Sequence, residues 1–134
     1  MLVYTLRYKR GIGAAQQSVI DPSPETIDFV LDEMLPGVDC FIVLYTNKKI
    51  ENCCCIQSMI KKDNKPFIEY MVEVHFKSNG EYTFYRKYFL SVDEVKKMFR
   101  MFALGIIPVV DDWDDVTDEV NKIMKRQKLR NKNG

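Results

Sequence analysis

Hydrophobic and polar positions alternate with a period of two along much of residues 2–90, and three segments switch to the helical period. Residues 2–9 are rich in β-branched and aromatic side chains and read as a strand, closed by Arg10-Gly11-Ile12-Gly13. Residues 15–20 read as a second strand. Ser23-Pro24-Glu25 is a helix start, with a hydroxyl at the N-cap, Pro in the first turn and an acid beside it. Ile27, Val30, Leu31, Met34 and Leu35 then fall on one helical face, and Pro36-Gly37 ends the helix. Residues 40–46, CFIVLYT, have the length and continuous apolarity of a buried strand. Asn47-Lys48-Lys49 is expected to turn the chain into a further strand at 50–60, and 61–66 reads as a loop.

The sharpest local signal is a hairpin. Two strand-like runs, 67–77 and 81–90, flank Ser78-Asn79-Gly80, and Asn-Gly suits a type I′ loop because both central residues need positive φ. That register puts Tyr70, Val72, Val74 and Phe76 on one face with Thr83, Tyr85, Lys87 and Phe89. It puts Met71, Glu73, His75 and Lys77 on the other with Tyr82, Phe84, Arg86 and Tyr88. Glu73 then stands opposite Arg86, a cross-strand charge pair. The first face is the core candidate.

The second helix is the best delimited element. Ser91 is its N-cap, Glu94 completes a capping box, and Leu90 and Val95 occupy the staple positions. Val95, Met98, Phe99 and Phe102 form the apolar stripe, Lys96, Lys97 and Arg100 face water, and Gly105 supplies a left-handed stop. Residues 106–110 read as a short strand, placed at a sheet edge because Pro108 has no backbone donor. Val116, Val120, Ile123 and Met124 mark a last helix with acids first and bases last, as its dipole prefers, and fraying is expected beyond Lys128. The fold class expected is α+β: a mainly antiparallel sheet, a meander containing the Asn-Gly hairpin, covered by two amphipathic helices, plus a C-terminal helix. Residues 1–128 form a single domain and 129–134 a basic tail.

Composition adds charge asymmetry to this picture. The 134 residues carry 20 basic and 19 acidic groups, yet six bases and no acid follow Glu119. Residues 1–121 thus hold 14 bases against 19 acids, a balance of −5. No run of about eighteen apolar residues is present, so no membrane span is expected, and the N-terminus lacks the layout of a secretory signal. Cys40 stands apart from Cys53-Cys54-Cys55, a spacing that fits neither a disulfide framework nor a zinc site, so reduced thiols in a cytoplasmic protein are expected. On a regular strand Cys53 and Cys55 would share one face and Cys54 would point the other way.

Catalytic chemistry has little to work with. His75 is the only histidine, so any Ser-His or Cys-His arrangement must use a mid-strand residue. Gly11-x-Gly13 begins like a dinucleotide fingerprint, but Gln16 stands at the third glycine position and no helix follows. Asp111, Asp112, Asp114, Asp115, Asp118 and Glu119 cluster around Trp113, the only tryptophan. Their spacing lacks the central Gly and final Glu of a calcium loop. A solvated helix N-terminus is one reading of the cluster, and a docking patch for a basic partner with Trp113 as anchor is another. Trp113 also reads as a core plug. The face bearing Tyr82, Phe84, Arg86 and Tyr88 has the aromatic and basic character that stacks single-stranded bases, although the acidic body repels phosphate.

The order of elements resembles the type-one immunity proteins that accompany polymorphic and contact-dependent toxins in bacteria. The resemblance lies in P-x-x-I-x-x-x-L from Pro24 through Leu31, the central meander, F-x-x-G-x-x-P from Phe102 through Pro108, and Trp113 beyond it. It spans about residues 20 to 113. Two features depart from the pattern: Cys53 to Cys55 lie where many members have a Gly-rich segment, and the tail after Trp113 is an extension. The resemblance implies a cytoplasmic antitoxin that occludes a cognate toxin domain stoichiometrically, with no catalytic residue, cofactor or metal. Toxins of this class are often nucleases or nucleic-acid deaminases with basic grooves, which an acidic surface would fill. The expected partner-binding residues are Asp111, Asp112, Trp113, Asp114 and Asp115, with Tyr82, Phe84, Arg86 and Tyr88. No membrane partner is expected, and the chain is expected to be a monomer or weak dimer. The alternative is a single-stranded nucleic-acid-binding module using the aromatic face.

Overall fold

The computed structural model describes residues 2–11, 13–37, 40–61 and 66–133. Ile12 of the first turn, residues 62–65 of the expected loop and Gly134 of the tail lie outside the described residues. Seven strands form one sheet in the order β2-β1-β3-β4-β5-β6-β7, every pairing antiparallel. They are β1 (Tyr4–Lys9), β2 (Gln17–Ile20), β3 (Phe41–Ile50), β4 (Cys53–Lys61), β5 (Glu69–Ser78), β6 (Glu81–Phe89) and β7 (Asp114–Asp115). The helices are α1 (Pro24–Glu33), α2 (Val92–Ala103) and α3 (Thr117–Asn133). This is the expected α+β class, and no helix among the described residues is long and apolar enough to cross a membrane.

Alternation decides which side of the sheet is buried. Leu6, Ile42, Leu44, Ile56, Val72 and Val74 point to one face and are fully enclosed. Over them lie Ile27, Val30 and Leu31 of α1 and Val95, Phe99 and Phe102 of α2, all of them buried. Each such side chain contributes about 1.5–3 kcal/mol by leaving water. Polar residues at the helix surfaces then tie α1 to α2. Lys96 Nζ meets Asp32 at 2.7 Å, and the Arg100 guanidinium clasps Asp28. Lys97 and Arg100 face water as expected, while Lys96 is largely covered, and Lys96 and Arg100 each also bridge the two helices.

The caps are largely local chemistry. Ser23 Oγ accepts from the Thr26 N–H at 3.2 Å, with Pro24 opening α1. Ser91 Oγ accepts from the Asp93 N–H at 3.2 Å, one residue earlier than a capping box places the bond. Gly105, at φ +83°, ends α2, and the Ile106 N–H reaches back to the Met101 carbonyl. The hairpin has the expected register throughout, Tyr70 opposite Phe89 and Glu73 opposite Arg86, with Asn79 at φ +53° and Gly80 at +80°.

Three expectations are corrected. The chain does not turn at Asn47-Lys48-Lys49. β3 continues through them as an irregularity pinned to Val3, whose N–H donates to Asn47 Oδ1, and the turn is Glu51-Asn52 with φ +49° and +69°. Residues 106–110 form no strand: Pro108 removes a donor from the middle of the run, and Asp114–Asp115 supplies the edge pairing to β6 instead. Finally, Cys53 and Cys55 point to opposite faces. Cys53 pairs with Phe76 while Cys55 pairs with His75, so Cys54 is the extra residue of a β-bulge that inverts the alternation. α3 extends to Asn133.

Candidate interaction surface

Among the described residues, the other side of the sheet has no helical layer comparable to α1 and α2. Register places Arg7 of β1, Val43 and Tyr45 of β3, Gln57 and Met59 of β4, Met71, Glu73 and His75 of β5, and Tyr82, Arg86 and Tyr88 of β6 on this face. Apart from Glu73, their side chains are half-buried or exposed. α3 meets this side at β6, where the Phe84 N–H donates to Thr117 Oγ1 at 3.0 Å and Glu119 approaches Arg86.

One buried carboxylate organises the centre. Glu73 is only 4% exposed. Arg86 donates to Glu73 Oε2 from Nε at 2.7 Å and stands 2.6 Å away through Nη2. His75 Nε2 lies 3.1 Å from Oε1, and Gln57 Nε2 donates to the same oxygen at 3.2 Å. Burial pushes the Glu73 carboxyl up, but the hydrogen bonds from His75 and Arg86, with the Arg86 charge, outweigh it and hold the group below the usual carboxylate range. Burial likewise opposes the Arg86 charge, and the Glu73 and Glu119 carboxylates overcome that, holding Arg86 above its ordinary value. The cross-strand pair is thus the hub of a buried network, and Arg86 is committed to intramolecular acids.

Around this hub, cations sit over rings. Lys77 Nζ lies 4.9 Å from the Tyr82 centroid, Lys61 Nζ 5.5 Å from Tyr88, and Arg7 Cζ 5.9 Å from Phe41. Tyr82 also stacks on Phe84 with centroids 5.8 Å apart. Arg7, Tyr45, Gln57, His75 and Tyr82 rim an open hollow of about 520 Å³.

The hollow also contains Cys54 and Cys55, and Cys55 is directly paired with His75. The residue types of a Cys-His-Glu relay are therefore neighbours, but their chemistry is set against it. Burial, together with the neighbouring thiols and Glu73, pushes Cys55 up to about 12, so the thiolate nucleophile is suppressed. His75 is edge-on to Phe84 at 4.6 Å and already bonded to Glu73. Cys40 is buried, its Sγ donating to the Arg10 carbonyl at 2.9 Å. Among the described residues, no three His, Cys, Asp or Glu side chains gather as a metal site.

The nine residues singled out from sequence divide between two places. Tyr82, Phe84, Arg86 and Tyr88 lie on the open face, although Phe84 is 3% exposed beneath Tyr82 and the start of α3. Asp114 pairs with Arg86 and so lies at the β7 margin of that face. Asp112 belongs to the helical side, where it binds Lys87 Nζ at 2.6 Å. Trp113 is half-buried against Phe89 and the core, centroids 5.9 Å apart. Asp115 accepts from the Thr117 N–H at 2.9 Å and its hydroxyl at 2.5 Å, which fastens the start of α3. Asp111 is exposed. Arg7, Tyr45 and Gln57 were not anticipated. The signal for Arg7 was its position between the buried Leu6 and Tyr8, whereas Tyr45 was hidden inside the continuous run CFIVLYT.

On the helical side, Met98, Met101, Ile107, Pro108 and Trp113 line a second, more apolar hollow of about 360 Å³. No protein-family model, curated protein or solved structure matches this chain.

Proposed function

We propose that this chain is an immunity protein, a cytoplasmic stoichiometric binder that neutralises a cognate bacterial toxin domain by covering it, without catalysis, cofactor or metal. The observation that carries the reading is the open sheet face, which presents Tyr45, Tyr82 and Tyr88 to solvent while its buried carboxylate is already satisfied by Arg86, His75 and Gln57. A partner can seat on such a face without stranding an unpaired buried charge, the condition on which tight occlusion depends. The layout of Pro24 to Leu31, Phe102 to Pro108 and Trp113 supports the choice of a toxin as that partner. Tyr82 and Tyr88 are the apolar anchors. Asp111 and Asp114, at the β7 end, supply the acidic margin that steers a basic nuclease or deaminase groove.

The test is to sequence the neighbouring gene and, where it encodes a large secreted protein, to co-express this chain with that protein's C-terminal domain. The expected result is growth rescue and a 1:1 complex through purification. Continued killing with no complex contradicts the reading.

A second reading has one specific observation in its favour: three rings of the open face each carry a cation at 4.9–5.9 Å. Interleaved rings and cations are what single-stranded nucleic acid stacks on. Retention of a labelled single-stranded oligonucleotide at about 0.15 M salt, lost on Tyr82→Ala, supports that reading over the toxin.

A further inference from the structure

α3 is left almost without cover. It runs for 17 residues, about 25 Å, yet from Asn121 to Leu129 every side chain is exposed. Those side chains include Ile123 at 46% and Met124 at 40%, which with Val120 make an apolar stripe at i, i+3 and i+4. Isolated helices of this length are marginal in water, and burial of an apolar stripe is what ordinarily stabilises them. The same segment carries Lys122, Lys125, Arg126 and Lys128 with no acid after Glu119, opposite in sign to the −5 body.

The helical side of the same sheet edge offers a complementary seat. The hollow lined by Met98, Met101, Ile107, Pro108 and Trp113 opens between Ile106, 48% exposed, and Val109, 75% exposed. Asp112, ion-paired with Lys87, is among its lining residues. α3 of the same chain cannot fill it. Val116 alone links β7 to α3, and Thr117 and Glu119 hold the helix start to Phe84 and Arg86, on the opposite side of β6 from Lys87 and Phe89 at the hollow.

We propose that the occupant is α3 of a second copy, seated reciprocally so that each copy's Val120-Ile123-Met124 stripe fills the other's Met98–Trp113 hollow. A two-fold axis beside the β7 edge relates the two seats, since helix and hollow lie on opposite sides of that one edge. Reciprocity matters for size. Reciprocal seating doubles the area that one helix in one groove buries, and stable interfaces bury roughly 1,200 Å² or more. The charges agree in sign, with the basic helix meeting the −5 body of its partner, so association weakens as salt rises. This self-association uses neither Tyr45 nor Tyr82, and it stands apart from the toxin-binding reading.

Sedimentation equilibrium on the full chain tests it. At about 100 μM, wild type is expected at twice the 15.8 kDa chain mass, with the dimer dissociating as salt is raised. Ile123→Asp and Val109→Asp, each at an exposed position, are each expected to sediment as monomers with unchanged far-ultraviolet circular dichroism. An equimolar mixture of the two variants retains one intact helix-in-hollow contact, from the Val109→Asp helix into the Ile123→Asp hollow, and is expected to recover part of the heavier species. A monomeric wild type, or a dimer that survives both substitutions, overturns the proposal.

Discussion

Glu73 stands directly opposite Arg86 on the β5–β6 ladder, and the two close to 2.6 Å with the carboxylate almost entirely out of water. A charge pair on an exposed sheet would be worth about 0.2–1 kcal/mol. Here His75 and Gln57 complete the carboxylate's bonding, so the pair belongs to the buried kind whose rupture is costly. Glu73→Ala should lower the unfolding free energy by about 3 kcal/mol, read as a fall in the urea midpoint. Replacing both partners together, Glu73→Met with Arg86→Leu, should cost less than the single change, because no uncompensated cation is left in the sheet.

The same carboxylate makes stability depend on acid. Its folded pKa is depressed, because hydrogen bonds and the Arg86 charge outweigh burial. It therefore contributes stability that is complete above the unfolded value, about 4.3, and lost as pH falls through the folded value. Urea midpoints between pH 7 and pH 3 should fall at the acid end, and Glu73→Gln should flatten that part of the profile relative to wild type.

Among the described residues, Glu51-Asn52 is the one tight turn whose first residue is poorly matched to its conformation, a glutamate at φ +49°. Only Asn, Asp and Gly adopt that region at little cost. Changing the pair to Asn-Gly, Glu51→Asn with Asn52→Gly, should stabilise the protein by about 1 kcal/mol, measured as a rise in urea midpoint without change in slope.

Cysteine reactivity separates the binding reading from a catalytic one. Burial pushes Cys53 and Cys55 each up to about 12 and also raises the half-buried Cys54, and Cys40 is enclosed. Alkylation at pH 8 should therefore be slow in the native protein and rapid at all four thiols in urea. Fast, stoichiometric labelling of Cys55 in the native state would signal an activated nucleophile and count against a purely binding role.

The distinction between legible and illegible parts follows from how local each determinant is. Asn79-Gly80 fixed a register because positive φ is required at two adjacent positions, and Gly105 fixed a helix end for the same reason. The Ser23-Pro24 start of α1 rests on neighbours within one turn. By contrast, the continuation of β3 through Asn47 depends on Val3, far away in the chain. The inversion of Cys53 and Cys55 depends on a bulge that no alternation pattern announces. The candidate surface was half legible for that reason. Tyr82, Phe84, Arg86 and Tyr88 came from the hairpin register, while Arg7, Tyr45 and Gln57 required knowing that β1, β3 and β4 lie side by side. The acidic cluster looked surplus in sequence, yet Asp112, Asp115 and Glu119 each have an intramolecular task that only tertiary pairing reveals.

The most direct test of the central claim is calorimetric affinity for the cognate toxin domain, measured for three forms of the chain. The open-face variant Arg7→Ala, Tyr45→Ala, Tyr82→Ala should bind at least about a hundredfold more weakly than wild type, about 2.7 kcal/mol, with its urea midpoint showing that the fold persists. The acidic-margin variant Asp111→Lys, Asp114→Lys should bind more slowly at low salt, with a smaller loss of affinity. An open-face variant that binds as tightly as wild type would contradict the account and move the contact off this side of the sheet.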